Sequence, residues 1–285
     1  MRITARYSIL FLLFVFLQSS YSFSYAQGKK AKGKLFIIGG GSISDSLRME
    51  LLRSANWKKG DMIVSVTLAS GVSEESFAAA NKAFNRLTGE TCVKFDSGAV
   101  HDPKKLDSLS KAKIIYLGGG SQSRFMELIE GTNVQQIILQ AYYNGAVIGG
   151  TSAGAAVMSK KMLTGNGLRD TAYASTFKIL QKGNLELLTG LGLLDSVIID
   201  QHFVVRSRYS RMLSAIMEFP AYQCFGIDES TAVIVHDGMA KVVGESQVLV
   251  FSNPKDIHTG KDNAFAVSSV QLSVYIAGES FAIKQ

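Results

Sequence analysis

The sequence predicts an α/β protein, a mostly parallel sheet doubly wound by helices, with a β-rich C-terminal extension. Three observations carry this reading. Short apolar runs alternate with amphipathic helical stretches from residue 34 to about residue 150. Three of those runs end in glycine-rich turns, at 39–41, 118–120 and 149–150. Beyond residue 225 the pattern changes to closely spaced strands with hairpin turns such as Asp237-Gly238.

Taken in order, residues 1–26 read as a secretory leader. Arg2 and Arg6 form a positive start, nine apolar residues follow from Ile9 to Leu17, and Ser24-Tyr25-Ala26 is a small-x-small cleavage site. The apolar run is too short for a membrane span. A secreted or periplasmic protein, cleaved near Ala26 and not membrane-bound afterwards, is the expectation. Residues 27–33 form a basic linker, and 34–285 a single α/β domain.

The first strand covers 34–38. Ser44 or Asp45 caps a helix with Leu47, Leu51 and Leu52 on its inner side. A buried strand covers 62–68. Residues 74–87 form a helix, with Phe77, Ala80, Phe84 and Leu87 spaced by three and four. A strand at 91–95 and a helix at 102–110 precede the strand at 114–117. That strand runs into Gly118-Gly119-Gly120. Helices at 125–130 and 134–143 lead to a strand at 146–148 and to Gly150-Thr151-Ser152-Ala153-Gly154. Residues 160–188 are polar and poorly periodic, an excursion over the face where the strands end. A strand at 197–199 delivers Asp200-Gln201-His202-Phe203, and a helix follows through Met212, Ile216 and Met217. Strands at 225–228, 231–235, 241–243, 247–251 and 270–275 read as one antiparallel extension of the same sheet.

Composition narrows the chemistry. Without the two leader arginines, 28 basic residues face 23 acidic ones, a net charge of +5. The excess is mild and no basic block interleaves with aromatics, so nucleic-acid binding is not supported. Cys92 and Cys224 lack His, Asp or Glu at metal-ligand spacing, and no metal or other cofactor is expected. Two buried, unpaired thiols are favoured over a disulfide. Neither glycine triplet fits G-x-G-x-x-G, and neither leads to a P-loop lysine, which argues against a dinucleotide or nucleotide site.

Gly150–Gly154 matches G-x-S-x-G, a sharp strand-to-helix turn that presents a serine hydroxyl above a sheet edge. A serine needs a base to take its proton. Of the four histidines, His101, His236 and His258 sit in polar turns or loops, whereas His202 follows a buried strand. The third partner is a carboxylate at another strand end, for which Glu229, Asp228, Asp200 and Asp195 compete. One glycine triplet beside the serine turn would add a backbone N–H to that of Ala153, making an oxyanion hole. Arg206, Arg208 and Arg211 suit a carboxylate-bearing substrate through bidentate pairing. Arg206 and Arg208 cannot share one helical face, so either the helix has not begun there or they serve different partners.

Gly149–Ala155, then Asp200-Gln201-His202-Phe203 with the three arginines, then Gly226-Ile227-Asp228-Glu229 with Thr231-Ala232, resemble in their order and spacing the cyanophycinase family of serine peptidases, peptidase family S51. The resemblance runs from Gly39 to about Phe251. It implies a fold like that of class I glutamine amidotransferases (flavodoxin-like), with Ser152 as nucleophile, His202 as base and Glu229 as orienting carboxylate. The oxyanion hole would be formed by Ala153 with Gly119. Gln122, Asp200, Gln201, Arg206, Arg208 and Arg211 match substrate-pocket positions. The implied substrate is cyanophycin, a polyaspartate carrying arginine on its side chains, or another aspartate-rich peptide, with release of β-Asp-Arg. A homodimer is compatible with the family. One departure is Ser121 where the family often has aspartate. Related aspartyl dipeptidases, a non-catalytic exported binding protein and an esterase on the same turn are the alternative readings.

Overall fold

Four consecutive apolar residues of β1 (Lys34–Ile38) are buried, because the strand lies inside a sheet covered on both faces. The computed structural model describes residues 30–169 and 176–284. The predicted leader and its cleavage site lie outside the described residues. The secondary structure of the described residues lies within the unit Lys32–Gln285.

The first half follows the predicted alternation. After β1 come α1 (Asp45–Ser54), β2 (Ile63–Val66), α2 (Ser73–Thr88), β3 (Val93–Phe95), α3 (Pro103–Lys111) and β4 (Ile114–Leu117). Then follow α4 (Gln122–Ile129), α5 (Val134–Asn144), β5 (Val147–Thr151) and the single turn α6 (Ala153–Ala156). Caps set the helix starts. Ser44 accepts from the Leu47 amide before α1, and Asp102 accepts from the amides of Lys104 and Lys105 before α3. Ser121 accepts from the Arg124 amide and so starts α4 three residues ahead of the predicted position.

The second half comprises β6 (Lys161–Gly167), β7 (Leu185–Thr189), β8 (Val197–Gln201), α7 (Tyr209–Glu218), β9 (Gln223–Ile227), β10 (Thr231–His236) and β11 (Met239–Gly244). It ends with β12 (Val248–Lys255), β13 (His258–Thr259), β14 (Phe265–Ala266), β15 (Ser269–Tyr275) and β16 (Ser280–Ala282). The main sheet has the order β16-β11-β10-β1-β5-β4-β2-β3. Its strands from β1 to β3 are parallel, while β10, β11 and β16 are antiparallel additions.

One expectation is corrected, and one stretch contains a pairing that the sequence did not reveal. The C-terminal strands do not all extend one sheet, since β15, β12, β9 and β8 form a second, four-stranded sheet. The chain changes sheets between β9 and β10, at a turn where Ser230 has φ 54°. The 160–188 excursion is organised by the antiparallel pair β6 and β7. Glycines at 165 and 167 interrupt the alternation that would have revealed β6.

Residue alternation in β1 divides the core. Leu35 and Ile37 join a cluster with Phe125 and Ile138 from α4 and α5, which continues to Ile199 and Phe225 of the second sheet. Phe36 and Ile38 face Leu47, Leu51 and Phe84 from α1 and α2. A third cluster packs Met212, Ala215 and Ile216 of α7 on Ile198 and Cys224. Both cysteines are buried and free, and burial pushes the Cys92 thiol up to about 12.

Candidate active site

Ser152 stands where β5 ends and α6 begins. Its backbone is held at φ 53° and ψ −115°, outside the conformations side chains prefer, as a nucleophile turn requires. Space explains the second glycine of the motif. A Cβ on Gly154 would lie 2.2 Å from the Leu117 carbonyl oxygen.

The second sheet supplies the base. His202 follows β8 directly, and its Nε2 lies 2.8 Å from Ser152 Oγ. Its Nδ1 lies 2.5 Å from Glu229 Oε1, on the turn between β9 and β10. An ionised carboxylate only accepts, so Nδ1 carries the proton and Nε2 is left to accept from the serine hydroxyl. The ring is buried. That burial holds the His202 pKa below the ordinary imidazole value, against the bond from Glu229, and the nearby Arg206 charge pushes the same way as burial. The three residues thus meet at the seam between two sheets, each from a different strand end.

The geometry separates the competing carboxylates. Asp228 accepts from the Val204 and Val205 amides, both at 3.0 Å, and from Ser246 Oγ at 2.7 Å, so it braces the turn after His202. Asp195 is on the surface, 3.6 Å from Lys160. Asp200 is fully buried and receives Arg211 through two parallel bonds, Nε at 2.6 Å to one oxygen and the second guanidinium nitrogen to the other. His101 and His258 are exposed, and His236 contacts the Gly33 carbonyl.

A triplet also lies beside the serine, as expected. A Cβ on Gly119 would sit 3.5 Å from Ser152 Cβ. The Gly118 N–H is already committed to the Val66 carbonyl at 2.9 Å. Ala153 opens α6, and an N–H at that position has no acceptor within its own helix.

The predicted substrate-holding set divides. Arg208 donates to Asp200 at 3.1 Å, to the Gln201 carbonyl at 2.5 Å and to Gln201 Oε1 at 2.8 Å. Arg208 and Arg211 are 3% and 2% exposed. The expectation that all three guanidiniums present themselves to a substrate is therefore corrected: two of them clamp Asp200, and only Arg206 is exposed. The spacing problem is resolved because α7 begins only at Tyr209, after Arg206 and Arg208. The amide of Gln122 donates to the Leu163 and Thr164 carbonyls, both at 2.9 Å, and ties α4 to β6. Among the described residues, no group of three or more His, Cys, Asp or Glu side chains is placed to hold a metal ion.

A serine on a strained strand-to-helix turn, hydrogen-bonded to a histidine that a glutamate holds from behind, defines a protein of the serine-hydrolase class. The family model "Peptidase family S51" matches residues 35–243, and the chain belongs to that family. It is 34% identical over 185 residues to a cyanophycinase of Trichormus variabilis, covering 62% of this chain and 59% of that protein. To a cyanophycinase of Thermosynechococcus vestitus it is 30% identical over 197 residues, covering 66% of this chain and 58% of that one. A peptidase E of Haemophilus influenzae is 26% identical over 167 residues, covering 56% and 66% respectively. The chain thus spans just under three fifths of the length of these cyanophycinases. In fold it is similar to a peptidase from an acI-B1 actinobacterium, with a TM-score of 0.64 and 19% identity over 90% of this chain and 98% of that one.

Proposed function

We propose that this protein is an exported serine peptidase that hydrolyses cyanophycin and releases β-Asp-Arg. The hydrogen-bonded series Ser152, His202 and Glu229 carries the proposal. His202 Nε2 takes the hydroxyl proton as Ser152 Oγ attacks a backbone aspartyl carbonyl. The Ala153 and Gly119 N–H groups stabilise the resulting oxyanion. Imidazolium, steadied by Glu229, gives its proton to the leaving amine nitrogen, and the C–N bond breaks. Water then attacks the acyl-enzyme, its proton passing to His202, and the acid leaves as Ser152 Oγ regains a proton.

The likeness to cyanophycinases supports the substrate, and the leader-like residues 1–26 support export. Arg206, exposed beside His202, is the residue we assign to a substrate carboxylate. Incubation of the purified protein with cyanophycin, beside a panel of Asp-Xaa dipeptides, tests the proposal. Release of β-Asp-Arg from the polymer is expected. Cleavage of the dipeptides alone would assign the protein to the aspartyl-dipeptidase branch, and no cleavage of either would overturn the peptidase reading.

A further inference from the structure

The catalytic steps leave the first glycine triplet, Gly39–Gly41, without a role. It continues directly from β1, and three successive carbonyls there each receive an amide from one of the segments that carry the triad. Ile38 O accepts from the Ser152 amide at 3.1 Å, Gly39 O from the His202 amide at 2.7 Å, and Gly40 O from the Ser230 amide, next to Glu229, at 3.0 Å. Ser152 and His202 both carry positive φ, and so does Ser230, so these bonds fall where the backbone most needs support.

The side-chain positions are occupied as well. Gly40 has φ +107°, and a Cβ built there would lie 2.4 Å from His202 Cε1 and 2.5 Å from Nε2. Gly41 has φ +70°, and a Cβ there would lie 2.6 Å from Glu229 Oε2 and 2.7 Å from Glu229 Cβ. The imidazole and the carboxylate fill the volumes that side chains at 40 and 41 would take.

We propose that Gly40 and Gly41 are positioning residues of this site: their bare backbone forms the seat of the His202 ring and the Glu229 carboxylate, while the carbonyls of residues 38–40 set the register of all three triad segments. The seat keeps the two rear members of the triad in contact without touching substrate. This inference rests on the triad assignment made above.

The test is a double-mutant cycle between Gly41→Ala and Glu229→Gly. Glycine is used at 229 because Glu229 Cβ itself lies against the added methyl. Two readouts are independent of the natural substrate: the rate at which a fluorophosphonate labels Ser152, and thermal stability. Displacing the carboxylate by about an ångström should slow labelling roughly 10²-fold in Gly41→Ala. In the Glu229→Gly background the same substitution should change the rate less than about threefold, because the group it displaces is gone. Labelling by Gly41→Ala should also persist to lower pH, since the Glu229 bond is what holds the His202 pKa up.

Equal losses in both backgrounds, with an unmoved pH profile, would mean a general backbone role and would overturn the proposal. If Gly41→Ala does not fold, the double variant decides: a folded double variant supports the seat, and an unfolded one refutes it. Wild-type protein that labels but cleaves no peptide would defeat the substrate assignment and leave this test intact.

Discussion

Substituting Asp200 with asparagine separates two uses of the buried arginines. If Arg208 and Arg211 form a frame under His202, the change leaves two buried guanidiniums facing a neutral amide. Asp200 is 0% exposed, so water cannot compensate and added salt cannot screen the loss. Removing one partner of such a buried pair costs roughly 3–5 kcal/mol. In a domain of this size each kcal/mol moves Tm by about 2–4 °C, so a drop of roughly 6–20 °C is expected. The assay pairs a thermal scan at low and high salt with kcat and KM at a temperature where the variant is folded. The expected result is a large drop in Tm, the same at both salt concentrations, with kcat reduced and KM little changed. A Tm within about 2 °C of wild type together with a strongly raised KM would refute the frame and return these residues to substrate binding.

Ser152→Ala should lower turnover roughly 10⁴–10⁶-fold with the fold retained, as a triad nucleophile requires; circular dichroism and single-turnover assays check both halves. The base acts in its neutral form, so the depressed His202 pKa should place the acid limb of kcat/KM below 6.5, the ordinary imidazole value. Arg206→Ala should raise KM for carboxylate-bearing substrates with Tm unchanged. It should also move that limb toward higher pH, because Arg206 is one of the charges lowering the His202 pKa. Neither cysteine should react with a water-soluble disulfide reagent in the native protein, and both should react after unfolding, since both are buried.

Much of this was legible in the sequence because it depends on short-range chemistry. Gly150 and Gly154 around Ser152, the cap at Ser44 or Asp45, and the apolar runs of β1, β2 and β4 each declare themselves within a few residues. His202 was identifiable from its place after a buried strand. What stayed hidden depends on partners far away in the chain. Asp228 and Glu229 are adjacent acids, and only the turn between the two sheets sends one to the amides after His202 and the other to its ring. The arginines read as free cations because nothing local shows that Asp200, 8 and 11 residues earlier, is buried among them. Similarly, Gly39–Gly41 and Gly118–Gly120 look alike as strings, yet one lies beneath the imidazole and the other beside the nucleophile.

The placement of β1 has a temporal consequence. It is the first strand of the described chain, yet one flank pairs with β5 and the other with β10, whose Ala232 stands opposite Ile38. These two residues are roughly 190 positions apart, a long loop to close before the pairing gives any return. A chain still being synthesised through β9 has its nucleophile turn and its histidine, but not the strand that anchors the glutamate. A chain that stops at β9 therefore lacks both the β1–β10 pairing and the Ser230 amide bond to Gly40, the contacts that hold the Glu229 turn against β1.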